Sequence, residues 1–203
     1  MVLKVREIFY SLQGEGGRAG EASIFIRLAN CNLNCWFCDT DWSWGRNHTL
    51  EEVLQIIKQY PCKWIVWTGG EPTMQLTEEV TTFFASHGYK QAIETNGTNP
   101  VPSGIDYISC SPKERVSLTD LKTNFPNGVS EWRYVLNVGG ADAIPDIEQL
   151  PKATHYFISP VFLGEKKKRF ELNRRVLKYC IAFIQENTRW RLSVQQHKLW
   201  GLR

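Results

Sequence analysis

Six cysteines in 203 residues are too few for a disulfide scaffold, so the fold has to rest on an apolar core. No window reaches the ~18 consecutive apolar residues that a membrane span needs. The formal net charge is only +3, well short of the basic balance that marks a nucleic-acid binder. The chain also lacks internal repeats, low-complexity tracts and any Pro/Gly/Ser-rich linker, so residues 1–203 are expected to form a single domain. Near the N-terminus, Glu7 and Gln13 stand where a secretory leader would need an apolar stretch. The expected compartment is therefore the cytoplasm, where clustered cysteines serve as metal ligands or redox groups more often than as disulfides. With 42% hydrophobic and 22% charged residues, the composition excludes a disordered, collagenous or coiled-coil chain.

What is present is an alternation of short apolar runs and helix-period segments. Residues 23–29, 63–68, 90–94, 106–110, 132–137, 155–159 and 190–196 read as strands. Residues 50–60, 77–87 and 168–187 read as helices, with Thr49 and Glu52 at capping-box spacing before the first. Strand and helix in alternation predict parallel βα units. A complete eight-fold barrel takes about 250 residues, and the 96–105 connection is too rich in Gly, Pro and Asn for a crossover helix. The expected fold is α/β, an incomplete TIM-like β/α barrel, with an open doubly wound sheet as the alternative. Either fold puts its ligand site at the carboxyl ends of the strands.

Chemistry-bearing residues fall at those ends. Cys31, Cys35 and Cys38 crowd into one loop after the first expected strand. Three thiolates there would leave one iron of a [4Fe–4S] cluster with an open position, since such clusters usually take four cysteines. A structural zinc site is the alternative, but it prefers four closed ligands, and the nearest further candidate is His48. Thr68-Gly69-Gly70-Glu71-Pro72 ends the second strand, with glycines that permit close backbone approach and a fixed carboxylate. Glu94-Thr95-Asn96-Gly97, Ser111-Pro112-Lys113 and Ser159-Pro160 end three more. Singly these are ordinary turns; together they define one rim.

The CxxxCxxC spacing with Phe37 before its last cysteine, followed by GGEP, resembles the radical S-adenosylmethionine superfamily. More narrowly, SLQGEG at residues 11–16, Arg27, Cys38-Asp39-Thr40, ETNG, SPK and the QQHK tail at 195–198 resemble the 7-carboxy-7-deazaguanine synthases. The resemblance implies that a cluster electron cleaves S-adenosylmethionine, and that the resulting 5′-deoxyadenosyl radical takes hydrogen from 6-carboxy-5,6,7,8-tetrahydropterin. Ring contraction with loss of ammonia then gives 7-carboxy-7-deazaguanine.

The same resemblance implies residue roles. Cys31, Cys35 and Cys38 would hold the cluster and Thr40 a Mg²⁺ ion. Phe37, Cys38, Asp39, Gly69, Gly70, Glu71, Glu94, Ser111, Pro112 and Lys113 would meet S-adenosylmethionine. Leu12, Gln13, Gly14, Glu15, Arg27, Thr68, His197 and Arg203 would meet the pterin. Arg27 suits a carboxylate, because its fork binds one bidentately. The resemblance also implies a homodimer, and the basic run at 166–169 reads as a solvated face or a dock for a flavodoxin-type electron donor. Cys62, Cys110 and Cys180 read as small core residues. Two other readings stand beside this one: a small enzyme that makes a glycyl radical on a partner protein, and a non-catalytic zinc-binding module.

Overall fold

The computed structural model describes residues 1–113, 115–162 and 172–202. Arg203 and the 166–169 run lie outside the described residues. Among the described residues nine strands form one sheet: β1 (Val2–Leu12), β2 (Ala22–Leu28), β3 (Arg46–Thr49), β4 (Trp64–Gly69), β5 (Lys90–Thr95), β6 (Tyr107–Cys110), β7 (Val129–Leu136), β8 (Ala153–Pro160) and β9 (Arg191–Leu192). Their order is β3-β1-β2-β4-β5-β6-β7-β8-β9, with β3 and β9 left at separate edges, so the sheet is open. From β2 through β4 to β9 every neighbouring pair is parallel, which is the partial barrel expected from the sequence. Only β1 runs antiparallel, to β2 on one side and β3 on the other.

Helices α1 (Leu50–Ile57), α2 (Glu78–Ser86), α3 (Leu118–Asn124) and α4 (Arg174–Glu186) connect the strands, and α5 (Gln196–Leu199) follows β9. Strand residues alternate between two faces. On the helix side, Ile24, Ile26, Ile65, Trp67 and Ile93 pack with Val53, Ile57, Val80 and Phe84 of α1 and α2. A second cluster joins Trp132, Leu136 and Ile158 to Leu121 of α3 and Val176 and Cys180 of α4. The opposite face carries a smaller apolar group, Phe9, Phe25, Val66 and Ala92, with Phe9 stacked on Phe25 at 5.0 Å between ring centroids. The polar residues that make the site occupy the rest of that inner face.

Helix α1 shows how local sequence writes this architecture. Leu50, Val53, Leu54 and Ile57 recur at helical spacing and are all buried. Thr49 accepts from the Glu52 amide at 3.2 Å, and Glu52 accepts from the Thr49 amide at 2.8 Å, closing the expected capping box. Thr49→Ala is expected to cost about 1 kcal/mol, lowering the melting temperature by roughly 2–4 °C without changing cluster content. Calorimetry with an iron assay checks both halves.

The sequence reading missed β1, β3, α3 and α5, and it set the bounds of two other elements too wide. Charged Lys4, Arg6 and Glu7 mask β1, and a register shift between Val5 and Glu7 breaks its two-residue alternation. The expected strand over 190–196 shortens to two residues, because the chain leaves the sheet after Ser193 and forms α5 over the inner face. Residues 168–171 of the expected 168–187 helix lie outside the described residues; α4 starts at Arg174, capped by Asn173, whose side chain accepts from the Arg175 and Val176 amides.

Candidate active site

The cysteine loop and the GGEP turn are built against each other. The Gly70 amide donates to the Leu28 carbonyl at 3.0 Å, and the Glu71 amide to the Asn30 carbonyl at 2.9 Å. A Cβ on Gly70 would lie 1.7 Å from the Asn30 oxygen, and one on Gly69, at φ +119°, 2.2 Å from the Leu28 oxygen. Both glycines therefore exist to let the loop cross the strand end. Asn30 itself sits at φ 70°, a left-handed conformation uncommon outside glycine, immediately before Cys31. From the loop, Asn32 donates to Thr98 Oγ1 at 2.7 Å and accepts from Asn96 Nδ2 at 2.9 Å, tying it to the ETNG turn. Lys113 Nζ meets Ser111 Oγ at 2.7 Å and stands 5.6 Å from the Phe37 ring centroid, so the SPK turn closes on the same loop.

Glu71 is completely buried. Its carboxylate accepts from the Thr73 amide and hydroxyl, the Thr95 hydroxyl and the Asn96 amide at 2.6 to 3.1 Å. Three of these bonds go to Oε1 and one to Oε2, so Oε2 keeps an acceptor site. Glu71 thus joins two turns, while Gly69 and Gly70 before it are half-buried.

Lateral register places a polar row across the inner face. Arg27 is opposite Thr68, Glu94 opposite Ser109, Ser109 opposite Glu131, and Glu131 opposite His155. Two residues further along β7, the buried Arg133 reaches Glu94, Glu131 at 3.3 Å and Glu15 at 3.6 Å. Burial raises the Glu94 carboxyl above the usual carboxylate range; Arg133 opposes that, while the Glu131 and Glu15 charges add to it. Gln13 Nε2 donates to Glu94 at 3.0 Å, and the Gly17 amide to Glu131 at 2.7 Å. Residues 13–17, which follow β1 and carry most of the SLQGEG motif, are in this way fastened over the row.

Helix α5 closes the other side. The Gln196 amide donates to the Gly14 carbonyl at 2.9 Å, and a Cβ on Gly14 would fall 2.2 Å from His197 Nδ1. Beside it Lys198 pairs with Asp39 at 2.5 Å. Burial alone would raise the Asp39 carboxyl, but Lys198 holds it below its ordinary value. Burial, with Lys198 next to it, pushes His197 down to about 4. A depressed histidine is neutral in the fold and takes up a proton on unfolding as pH falls through its free value of about 6.5. Its contribution is complete above that pH and lost towards pH 4. His197→Gln is expected to flatten the drop in melting temperature between pH 7.5 and pH 4.5; an unchanged slope would contradict this.

The residues suit the groups the sequence implies. None of the three loop cysteines is held in a disulfide, and Cys31 is raised first by burial and further by the charges of Glu71, Cys35 and Cys38, so the three share one neighbourhood. Thiolates of this kind are iron–sulfur ligands. Thr40 Oγ1 lies 3.4 Å from Asp39 Oδ1 and 3.4 Å from an Arg27 nitrogen. These hard oxygens suit Mg²⁺, but Arg27 beside them means the ion needs an anionic substrate group as well. Ser159 Oγ, buried on the inner face of β8, has no hydrogen-bond partner among the described residues, an orphan position of the sort a ligand satisfies.

Most of the residues singled out in the sequence thus meet at one rim. Thr68 joins it through its register with Arg27, Leu12 as the last residue of β1, and Pro112 as the buried centre of the SPK turn. The sequence reading missed Arg133, Glu131, Ser109 and Tyr107. Their signal was present: Glu131 and Arg133 alternate with Trp132 and Tyr134, which marks a strand with one charged and one apolar face.

A family model described as the radical SAM superfamily matches residues 25–119. A 7-carboxy-7-deazaguanine synthase of Bacteroides thetaiotaomicron is 36% identical, covering 100% of both chains. One from Haemophilus influenzae is 37% identical over 97% of this chain and 92% of its own. Among solved structures, QueE from Escherichia coli superposes with a TM-score of 0.71 at 22% identity, covering 96% of this chain and 94% of that one. Streptococcus suis SuiB, solved with S-adenosylmethionine bound, gives 0.50 at 17% identity, over 81% of this chain and 44% of that one. The two structures share the fold, and the full-length relatives carry the assignment: the chain belongs to the 7-carboxy-7-deazaguanine synthase family of the radical S-adenosylmethionine superfamily.

Proposed function

We propose that the chain converts 6-carboxy-5,6,7,8-tetrahydropterin into 7-carboxy-7-deazaguanine with loss of ammonia, the lyase step that feeds queuosine and other deazapurines. The observation that carries this reading is the enclosure of the polar row between the SLQGEG segment and α5, directly beside the cysteine loop. When bound, a [4Fe–4S] cluster on Cys31, Cys35 and Cys38 together with S-adenosylmethionine supplies one-electron chemistry that side chains cannot. The chain's own residues bind, orient and shield. Arg27 would receive the substrate carboxylate, with Thr40 and a Mg²⁺ ion on its far side. Gln13, Glu15 and Glu94 offer acceptors for the N–H edge of a pterin, and neutral His197 offers a ring nitrogen. Ser111 and Lys113 would flank the cofactor, and α5 with Gly14 would exclude water.

A tetrahydropterin lacking the carboxylate tests the Arg27 assignment. It should bind at least tenfold more weakly, because a charge-assisted bond to Arg27 is lost. Equal binding by the two pterins would remove Arg27 from the substrate site.

The unbroken nine-stranded sheet supports reading residues 1–203 as one domain. No helix among the described residues is long and apolar enough to cross a membrane. A cytoplasmic setting is part of the proposal, supported by cysteines of which none is in a disulfide. So is a homodimer, for which the exposed Leu199, Trp200 and Leu202 supply apolar surface. A flavodoxin-type donor is proposed to dock on the 166–169 run. Reversing those charges should slow turnover with flavodoxin but not with dithionite, and two unchanged rates would remove the dock.

A further inference from the structure

Three carboxylates converge on one buried guanidinium on the inner face, and the roles discussed so far use only two of them. Arg133 is 6% exposed and Glu131 1% exposed, both in the middle of β7. A buried charge survives only when its partners are placed, and here the placing is reciprocal. Arg133 faces Glu94, Glu15 and Glu131. Glu131 in turn accepts from Tyr107 at 2.6 Å, Ser109 at 2.8 Å and the Gly17 amide at 2.7 Å. A Cβ on Gly16, at φ +68°, would lie 2.1 Å from Glu131, so the segment is shaped to the carboxylate. The adjacent Gly16 amide donates to Ser193 at 2.9 Å, next to α5.

We propose that Arg133 and Glu131 form a positioning pair that orients Glu94 and Glu15 toward the substrate and fastens the 13–17 segment over the site. This rests on the function proposed above for its activity arm only. The pair is matched to its load. Arg133 alone offers the several in-plane donors needed to face carboxylates on β5, β7 and the segment at once, which a lysine point charge does not. The titratable and charged groups facing Glu94 are Arg133 and Glu131 of β7, Glu15 of the segment and Tyr107 of β6, with Cys110 behind the sheet. Arg133 is the cation among them, so removing it leaves like charges to push Glu94 toward its protonated form.

Arg133→Met, Arg133→Lys and Arg133→Met/Glu131→Gln would be compared with the wild-type chain. In the cofactor-free protein, hydrogen exchange at the Gly16 and Gly17 amides should rise at least tenfold in Arg133→Met. In the loaded enzyme, kcat/KM should fall roughly 10- to 100-fold, the usual loss when an orienting residue is removed. The acid limb of the pH profile should move to higher pH, because Glu94 then needs a higher pH to ionise. The double variant should recover about tenfold, since a glutamine carbonyl in place of Glu131 still accepts from Gly17 while one like charge is gone. Should Arg133→Met not fold, Arg133→Lys should show the same acid-limb shift at smaller amplitude. Unchanged exchange, a parallel pH profile, or a double variant no better than the single would overturn the proposal. If the wild-type chain makes no deazaguanine, the function reading fails, while the exchange experiment still decides the positioning role.

Discussion

Cys35→Ser is expected to leave a folded but colourless protein that forms no detectable deazaguanine. The change swaps one atom, and the bond in which the Cys35 carbonyl accepts from the Cys38 amide at 3.1 Å belongs to the backbone and survives. The cofactor-free melting temperature should therefore move by no more than about 2 °C, as for a substitution away from the core. What disappears is one of three thiolates, and a serine hydroxyl is a far harder, more basic ligand. Cys110→Ser is the matched control. That thiol is fully buried on the helix side of β6, in contact with the second apolar cluster. A hydroxyl there lacks an assured partner and should cost about 1–3 kcal/mol, yet iron content should stay at the wild-type level. Iron analysis and calorimetry on the pair separate the cluster thiols from the core thiols.

Gly70→Ala is expected to be the most damaging alanine substitution among the described glycines, with the closest approach of any added Cβ. The new carbon would overlap the Asn30 oxygen at 1.7 Å, and that oxygen is backbone, bonded to the Glu71 amide. Relief requires moving the start of the cysteine loop or the GGEP turn, and Glu71 ties the turn to Thr95 and Asn96. Overpacking of this kind costs about 3 kcal/mol, or roughly 6–12 °C in melting temperature for a chain of this size. Iron uptake should fall with it, because the displaced segment leads directly into Cys31. Gly88→Ala is the comparison: it has positive φ, at +78°, but nothing lies within 4 Å of its Cβ. Its loss should come from backbone strain alone, at about 1 kcal/mol, with iron uptake intact. Equal loss of iron in both variants would show that the close crossing does not shape the cluster loop.

How far the sequence reaches can be seen in particular elements. The central parallel strands were legible because both faces of each, or one continuous face, are apolar, as in the buried residues of β2 and β4. Strand β1 was not, because its bulge switches the face on which apolar residues fall. Gly69 and Gly70 were legible as a close approach, though not what approaches; that is the cysteine loop itself. Glu71 read as a ligand-facing carboxylate, and its ties to Thr73, Thr95 and Asn96 on two neighbouring turns are contacts that no local pattern announces. The alternation of Glu131 and Arg133 with Trp132 and Tyr134 marks a two-faced strand, but not that its charged face is buried, which takes partners on β5, β6 and the 13–17 segment. Contacts spanning so many residues, such as Glu131 with Gly17, carry no local periodicity to detect.

The decisive measurement is anaerobic incubation of the iron-reconstituted protein with dithionite, S-adenosylmethionine and 6-carboxy-5,6,7,8-tetrahydropterin. The expected outcome is 7-carboxy-7-deazaguanine and ammonia in equal amounts, from a brown protein holding about four irons. Cleavage of S-adenosylmethionine with no deazaguanine, or a colourless protein holding one zinc, would contradict the proposed function.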